Sequence, residues 1–273
     1  MLVGIDFGIS NTDIGILKND QYNFFTAKTS GEDLTIDLVK KILKDKNISL
    51  SKIDLIGVTG GKSSNLKSSV DGIKIIKINE IDAIGLGAKK LYGINNKPAL
   101  IISAGTGTAC VKTEHNCFDH MGGIAVGGGM LEGMGSLLFN NDKGEEINEF
   151  ASKGSKEKLD MLIGDVVNEI GNLSPHITAV NFGKAKSASA DTIENTSAAL
   201  CNMVGEVIGT IAYLNAYLIG SDKVYFIGRT SYLSEVLKGI NQRLELAGIE
   251  GQYYDNREYG NVVGVLEGIK NSQ

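Results

Sequence analysis

The stretch Gly4–Ile16, GIDFGISNTDIGI, sets an acid, a glycine and small polar residues between two apolar runs. Asp6 closes the first run, and Gly8, Ser10 and Asn11 form the turn. A turn of this kind between two strands can hold a phosphate on its backbone N–H groups. The side chain placed to reach that phosphate as a cation is instead an acid, Asp13. The layout returns in Ala99–Lys112, ALIISAGTGTACVK, where Gly105, Thr106, Gly107 and Thr108 make the turn. Two such units about a hundred residues apart imply an internal duplication, with two opposed loops able to clamp a polyphosphate. A third glycine-rich segment, Gly122–Phe139 (GGIAVGGGMLEGMGSLLF), reads as a turn opening a helix. The free N–H groups at a helix start suit an anion.

A second constellation uses different chemistry. Cys110, His115, Cys117 and His120 follow a C-x4-H-x-C-x2-H spacing, and all four are zinc-ligating types. The spacing matches no standard finger, and Val111–Phe118 reads as a hairpin turning at Glu114–Asn116. Alternation in a hairpin sends some of these side chains to opposite faces, so ordinary strand residues are expected. His176 and Cys201 carry no functional claim.

These residues need elements to position them. Val3–Ile5, Ile14–Leu17 and Tyr22–Phe25 read as an antiparallel meander, followed by a helix over Thr35–Asp45 with Ile36, Val39, Ile42 and Leu43 on one face. Ile53–Gly61 and Gly72–Glu80 read as strands, and the segment after Glu80 as a helix. Beyond the second meander, Glu145–Ala151 and Leu159–Ile170 are expected as short helices, with a polar stretch over Gly171–Ala190. Thr192–Ile219 is expected as one long helix with Leu200, Val204, Val207, Ile211, Leu214 and Leu218 along one side. The strand Lys223–Gly228, a helix, the strand GQYY and a closing helix GNVVGVLEGI complete an α/β pattern with mixed sheets.

The chain has 273 residues, room for two lobes and a substantial core, and its 42% apolar and 22% charged residues are ordinary for a globular enzyme. A formal net charge of −5 argues against a basic face that binds nucleic acid. Glycine is in excess, at 35 residues against 2 prolines, clustering at the ends of apolar runs as tight turns and ligand approaches would require. No unbroken apolar run of about 18 residues and no leader pattern is read, and three cysteines make no even disulfide framework, so a cytoplasmic setting without a membrane partner is expected.

In order along nearly the whole chain, the sequence carries GIDFG, NEIDAIGLGA, SAGTGTA, GGIAVGGGMLEG, AVNFGK, YFIG and GNVVGVLEG. This series resembles the type II (eukaryotic-like) pantothenate kinases within the actin-like ATPase superfamily. The resemblance implies a two-lobed, ribonuclease H-like α/β fold with duplicated mixed sheets flanked by helices, split as residues 1–98 and 99–273. It implies transfer of the γ-phosphoryl group of ATP to the hydroxyl of pantothenate, with Mg²⁺ as cofactor, in a homodimer to which the long helix contributes unless its stripe is satisfied within one chain. Glu80 matches the family's catalytic acid, which takes the proton of the attacking hydroxyl. Asp6 would hold Mg²⁺ through water; Gly8, Ser10, Asn11 and Gly105–Thr108 would bind phosphates. Gly127, Gly128 and Gly129 would let the nucleotide approach the helix start, and Gly228 would lie beside the adenine.

In two places the sequence departs from the family pattern. Its first loop usually reads D-x-G-G-T-x-x-K, and here those places hold Ile9, Ser10 and Asp13. Exchanging a cation for an acid at about 4 Å from a phosphate, with an effective dielectric of about 20, is worth several kcal/mol. Asp13 therefore binds a cation, points away, or marks a site that has lost ordinary ATP use. The family's substrate-contacting Arg is His120 here, with Lys112 and Arg229 as candidates to compensate. From the residues alone two alternatives stay open: a relative acting on another small acceptor, and a nucleotide-binding protein without turnover. Retention of Asp6 and Glu80 points to an enzyme.

Overall fold

The computed structural model describes residues 1–29, 31, 33–61, 63–115, 117–167, 174–186 and 192–270. The chain opens with the meander β1 (Leu2–Phe7), β2 (Asn11–Lys18) and β3 (Gln21–Lys28), then α1 (Ile36–Asp45), β4 (Leu55–Thr59), β5 (Ser69–Val70), β6 (Ile73–Lys77) and α2 (Glu80–Tyr92). A second meander follows, β7 (Ala99–Ala104), β8 (Thr108–Glu114) and β9 (Cys117–Ile124), then α3 (Gly128–Phe139) and α4 (Gly144–Lys153). After β10 (Met161–Leu162), α5 (Ile163–Val166) and β11 (Thr178–Val180) come α6 (Ile193–Ile219), β12 (Lys223–Ile227), α7 (Ser234–Leu246), β13 (Glu250–Gln252) and α8 (Gly260–Lys270).

Among the described residues the first sheet runs β3-β2-β1-β4-β6-β5 and the second β13-β12-β7-β8-β9. Leaving out β5, both have the same plan. A meander pairs antiparallel on one side of its first strand, and two parallel strands pair on the other. The duplication seen in the two loops therefore extends to whole sheets. β1 and β7 are central and covered on both faces, which is why their sequences are continuous apolar runs.

Val3, Ile5 and Phe7 face Val39 and Leu43 of α1, while Leu2 faces Leu266 and Ile269 of α8. In the second sheet, Leu100 and Ile102 face α6 and α3, and Ile101 faces Ile84 and Ala88 of α2. The last helix of the chain thus packs on the first sheet, and α2 packs on the second. The two helices touch where a Cβ at Gly87 would run into the Gly260 carbonyl and one at Gly264 into the Ala83 carbonyl. Gly15, Gly4 and Gly57 sit in register across β2, β1 and β4, and their bare Cα atoms form the bed for Val262, Val265, Leu266 and Ile269 of α8. Part of the glycine excess thus serves helix-on-sheet packing as well as turns.

Some expectations change. Leu159–Ile170 is not one helix; its described part is the strand β10 and a single helical turn, because Met161 and Leu162 pair with β11, while residues 168–170 lie outside the described residues. Of Gly171–Ala190, residues 174–186 are described and contain β11. Gly122 and Gly123 belong to β9, so the glycine turn before α3 is shorter than its sequence suggests. α6 spans the expected residues, capped by the Thr192 hydroxyl at its start and by Gly220 in the left-handed region (φ +67°) at its end. Its stripe divides: Leu200 and Val204 are buried, whereas Leu214 and Leu218 are 46% and 77% exposed. The core-facing side continues instead through Ile208, Ala212 and Ala216. α6 is long and apolar enough to cross a membrane, but most of its apolar window is buried within the protein.

Candidate active site

The turns of the two meanders face each other across a cleft of about 1490 Å³. Asp6, Gly8, Ser10, Asn11, Glu80, Gly105–Thr108, His120, Gly128, Gly129 and Gly228 all line it. Gly127 does not; it is buried behind the second loop, where a Cβ would strike the carbonyls of Gly105 and Thr106. At the mouth, Ser10 Oγ and Thr106 Oγ1 lie 3.0 Å apart, so the two loops touch through hydroxyls.

The second loop is held from behind. The Gly105 N–H donates to the Gly107 carbonyl at 2.9 Å, which closes the turn. The Gly128 and Gly129 N–H groups, which the sequence offers to an anion, donate to the Gly105 and Thr106 carbonyls at 2.8 and 2.9 Å. The start of α3 therefore props the loop, and its glycines are needed because helix and loop backbones approach this closely. Thr230 adds a clamp from the turn after β12: its hydroxyl donates to the Gly105 carbonyl at 2.7 Å and accepts from the Gly128 N–H at 3.0 Å. Thr108 donates to the Val126 carbonyl at 2.7 Å, which leaves Thr106 as the hydroxyl at the loop tip. Gly228 has φ +93°, and a Cβ there would enter the Ala104 backbone.

The floor is acidic. Asp6 ends β1 and is cross-strand partner of Asp13 on β2. Burial, then the Asp13 charge, with a further contribution from Glu80, push the Asp6 carboxyl up to about 7, against a hydrogen bond from Asn261 Nδ2 at 3.1 Å. Glu80 is the first residue of α2, after the Asn79 cap, and stands exposed in the cleft. Asp13 is paired: Arg229 donates through Nη1 to Asp13 Oδ2 at 2.7 Å and through Nη2 to Asp13 Oδ1 at 2.6 Å. Thr26 donates to Asp13 Oδ1 at 2.8 Å, and Arg229 Nη2 also donates to the Thr26 hydroxyl at 2.7 Å. Of the three readings open for Asp13, the structure shows a bound cation, and that cation is a side chain from the turn that follows β12 of the second sheet. Lys112 does not serve the site; it pairs with Glu114 at 2.7 Å on the β8–β9 hairpin.

The four zinc-ligand types do not converge. Cys110 is buried, and burial pushes its thiol up to about 11, whereas Cys117 and His120 are exposed on β9 and His115 lies in the turn. Among the described residues no group of three or more His, Cys, Asp or Glu side chains is placed to hold a metal ion. Neither Asn261 nor Thr230 stands out from sequence, although Asn261 lies within the motif GNVVGVLEG and Thr230 two residues after YFIG. Their spacing from the loops they serve gives no local signal.

Two opposed strand–turn–strand loops on duplicated sheets define the actin-like ATPase fold shared with ROK sugar kinases. The chain is similar to the activator of the 2-hydroxyisocaproyl-CoA dehydratase from Clostridium difficile with bound ADPNP, with a TM-score of 0.67 and 17% identity over 99% of this chain and 94% of that one. A ROK family glucokinase from Streptomyces griseus in complex with glucose and AMPPNP gives 0.60 and 12%, covering 97% of each chain. Sequence narrows the class. The Fumble family model matches residues 88–237, and the type II pantothenate kinase of Bacillus thuringiensis subsp. konkukian (strain 97-27) is 33% identical over 241 residues, 84% of this chain and 82% of that protein. The chain belongs to this family of type II pantothenate kinases.

Proposed function

We propose that the protein is an ATP-dependent kinase that phosphorylates the hydroxyl of pantothenate in coenzyme A biosynthesis. The observation that carries this reading is the meeting of Ser10 and Thr106 over a cleft that also holds Asp6 and Glu80. Ser10, Asn11, Thr106 and the loop backbones bind the phosphates from both sides, the work of positioning and charge stabilisation that dominates phosphoryl transfer. The acceptor oxygen forms its bond to the γ-phosphorus, the bond to the ADP oxygen breaks, and Glu80 takes the hydroxyl proton. His120 faces the acceptor, and Gly228 the adenine side.

The residues present fit Mg²⁺. Asp6 is a nearly buried carboxylate with one oxygen held by Asn261; Asp13 beside it is paired with Arg229, and Glu80 adds a further negative charge to the cleft. Mg²⁺ is commonly held by one or two carboxylates, water and substrate phosphates. When bound, it neutralises phosphate charge.

Residues 1–98 and 99–273 each bring one loop, and α2 and α8 lie where the lobes join. The exposed Leu214, Tyr217 and Leu218 of α6 support a homodimer, which a monomeric mass in solution would refute. The free cysteines suit a reducing cytoplasm.

The test is Mg²⁺-dependent ADP release from ATP, with and without pantothenate, for the wild type and Glu80→Gln. Pantothenate-stimulated release that disappears in the variant is expected. A folded, ATP-binding wild type without stimulation retires pantothenate in favour of another acceptor or of nucleotide binding without turnover.

A further inference from the structure

We propose that Arg229 is the cation that meets the nucleotide's phosphates in this site, and that Asp13 is its resting counter-ion. The proposal rests on the kinase reading above for the identity of the ligand, a nucleoside triphosphate.

The argument starts from position. Arg229 lines the cleft and follows Gly228 in a turn locked on several sides. The Gly228 N–H donates to the Arg257 carbonyl at 2.9 Å, and Ser231 Oγ donates to the Gly228 carbonyl at 2.7 Å. Thr230, the next residue, is bonded to the Gly105 carbonyl of the second loop. The backbone of Arg229 therefore moves with the second loop, while its guanidinium grips the strand that carries the first. A charge fixed to both loops stands where the phosphates must lie.

Charge and donor count come next. Asp6 and Asp13 are adjacent carboxylates on β1 and β2, and an unpaired Asp13 would repel a triphosphate held by the loop beside it. The Arg229 guanidinium cancels that charge and lowers the repulsion felt by Asp6. Its bonds to Asp13 and Thr26 use both Nη2 hydrogens and one on Nη1. Nε–H and the second Nη1 hydrogen have no acceptor among the described residues, and the side chain is 37% exposed. An arginine forked onto one carboxylate with donors left over can accept phosphate oxygens without leaving its partner. Of the other cleft cations, Lys143 is paired with Glu146 at 2.6 Å, and Lys28 stands exposed on β3 opposite Asn11 without a carboxylate to fix its position among the described residues.

A purely structural clasp between the sheets is the competing account, and the two differ in sign. As a clasp, the pair fails equally whichever partner is removed. As a phosphate site, loss of Arg229 leaves a bare acid facing the phosphates, whereas loss of Asp13 frees the cation. The experiment is calorimetric titration of Mg·AMPPNP into the wild type, Arg229→Gln, Asp13→Asn and the double variant Asp13→Lys/Arg229→Gln. Arg229→Gln is expected to weaken binding by about tenfold or more, and Asp13→Asn to bind as tightly as wild type or tighter. The double variant, with its cation moved across the cleft and no unpaired acid, is expected to recover to within a few-fold of wild type. It also carries the test if Arg229→Gln does not fold. Equal weakening in both single variants, wild-type affinity in Arg229→Gln, or no recovery in the double variant overturns the proposal. A wild type that binds Mg·AMPPNP but, given Mg·ATP, transfers no phosphate to pantothenate refutes the kinase reading and leaves this test intact. A wild type that binds no Mg·AMPPNP refutes both.

Discussion

Ser10 Oγ and Thr106 Oγ1 meet at 3.0 Å although 96 residues separate them in the chain. Each sits at the tip of a meander turn, and the two turns are equivalent positions of one repeated topology. In the kinase reading proposed above, a polyphosphate entering the cleft replaces the hydroxyl pair with bonds to itself. Thr106→Ala is therefore expected to lower kcat/KM for ATP by about tenfold, and Ser10→Ala combined with it to fall short of the sum of the single effects. Steady-state kinetics in ATP at saturating pantothenate checks both.

The structural role of Glu80 can be separated from the proton-accepting role proposed for it. As the first residue of α2 it favours the helix dipole, worth up to about 1 kcal/mol. As the proton acceptor it is worth about a hundredfold or more in kcat. Glu80→Gln is expected to keep nucleotide affinity, lose at most about 1 kcal/mol of stability and lose turnover. Thermal melts beside single-turnover rates read the two duties independently.

Asp6 makes the ligand-free protein pH-sensitive in a defined direction. Its carboxyl is raised from 3.8 to about 7, so between those values the folded protein holds a proton that the unfolded chain has released. Stability falls as pH rises through that window and stays low above it. Asp6→Asn removes the penalty. It should raise stability at pH 8 by as much as about 4 kcal/mol, with a gain that shrinks toward pH 4, while abolishing activity. Melts of variant and wild type at pH 5 and pH 8, without nucleotide or Mg²⁺, measure the difference.

The α2–α8 crossing admits no side chain at Gly87, whose missing Cβ lies against the Gly260 carbonyl. Backbone cannot yield as a flexible side chain does. Gly87→Ala is expected to destabilise by about 3 kcal/mol, against the small gain that alanine gives in an open helix. Chemical denaturation supplies the number; an unchanged midpoint would mean that the crossing is looser than described.

The meanders were legible because their apolar runs and glycine turns are local patterns, as were α1 and α6 from helical spacing. Both meander turns that face the cleft were legible because strand, turn and strand follow one another in the chain. What could not be read depends on tertiary approach. The large apolar residues of α6 run in a stripe through Leu214 and Leu218, yet the buried side turns instead through small residues such as Ala212 and Ala216, which leave room for neighbouring helices. The Gly128 and Gly129 N–H groups read as free because nothing local shows that the Gly105 and Thr106 carbonyls come to meet them. Asp13 read as a charge of the wrong sign because its partner, Arg229, lies 216 residues away.

The central claim is that the cleft moves phosphate from ATP to pantothenate. Following the label from γ-phosphate-labelled ATP in the presence of Mg²⁺ and pantothenate tests it most directly. The account predicts label recovered on pantothenate with the wild type and none with Glu80→Gln. Label that stays on ATP, or appears only as inorganic phosphate, with nucleotide bound and the protein folded, would contradict it.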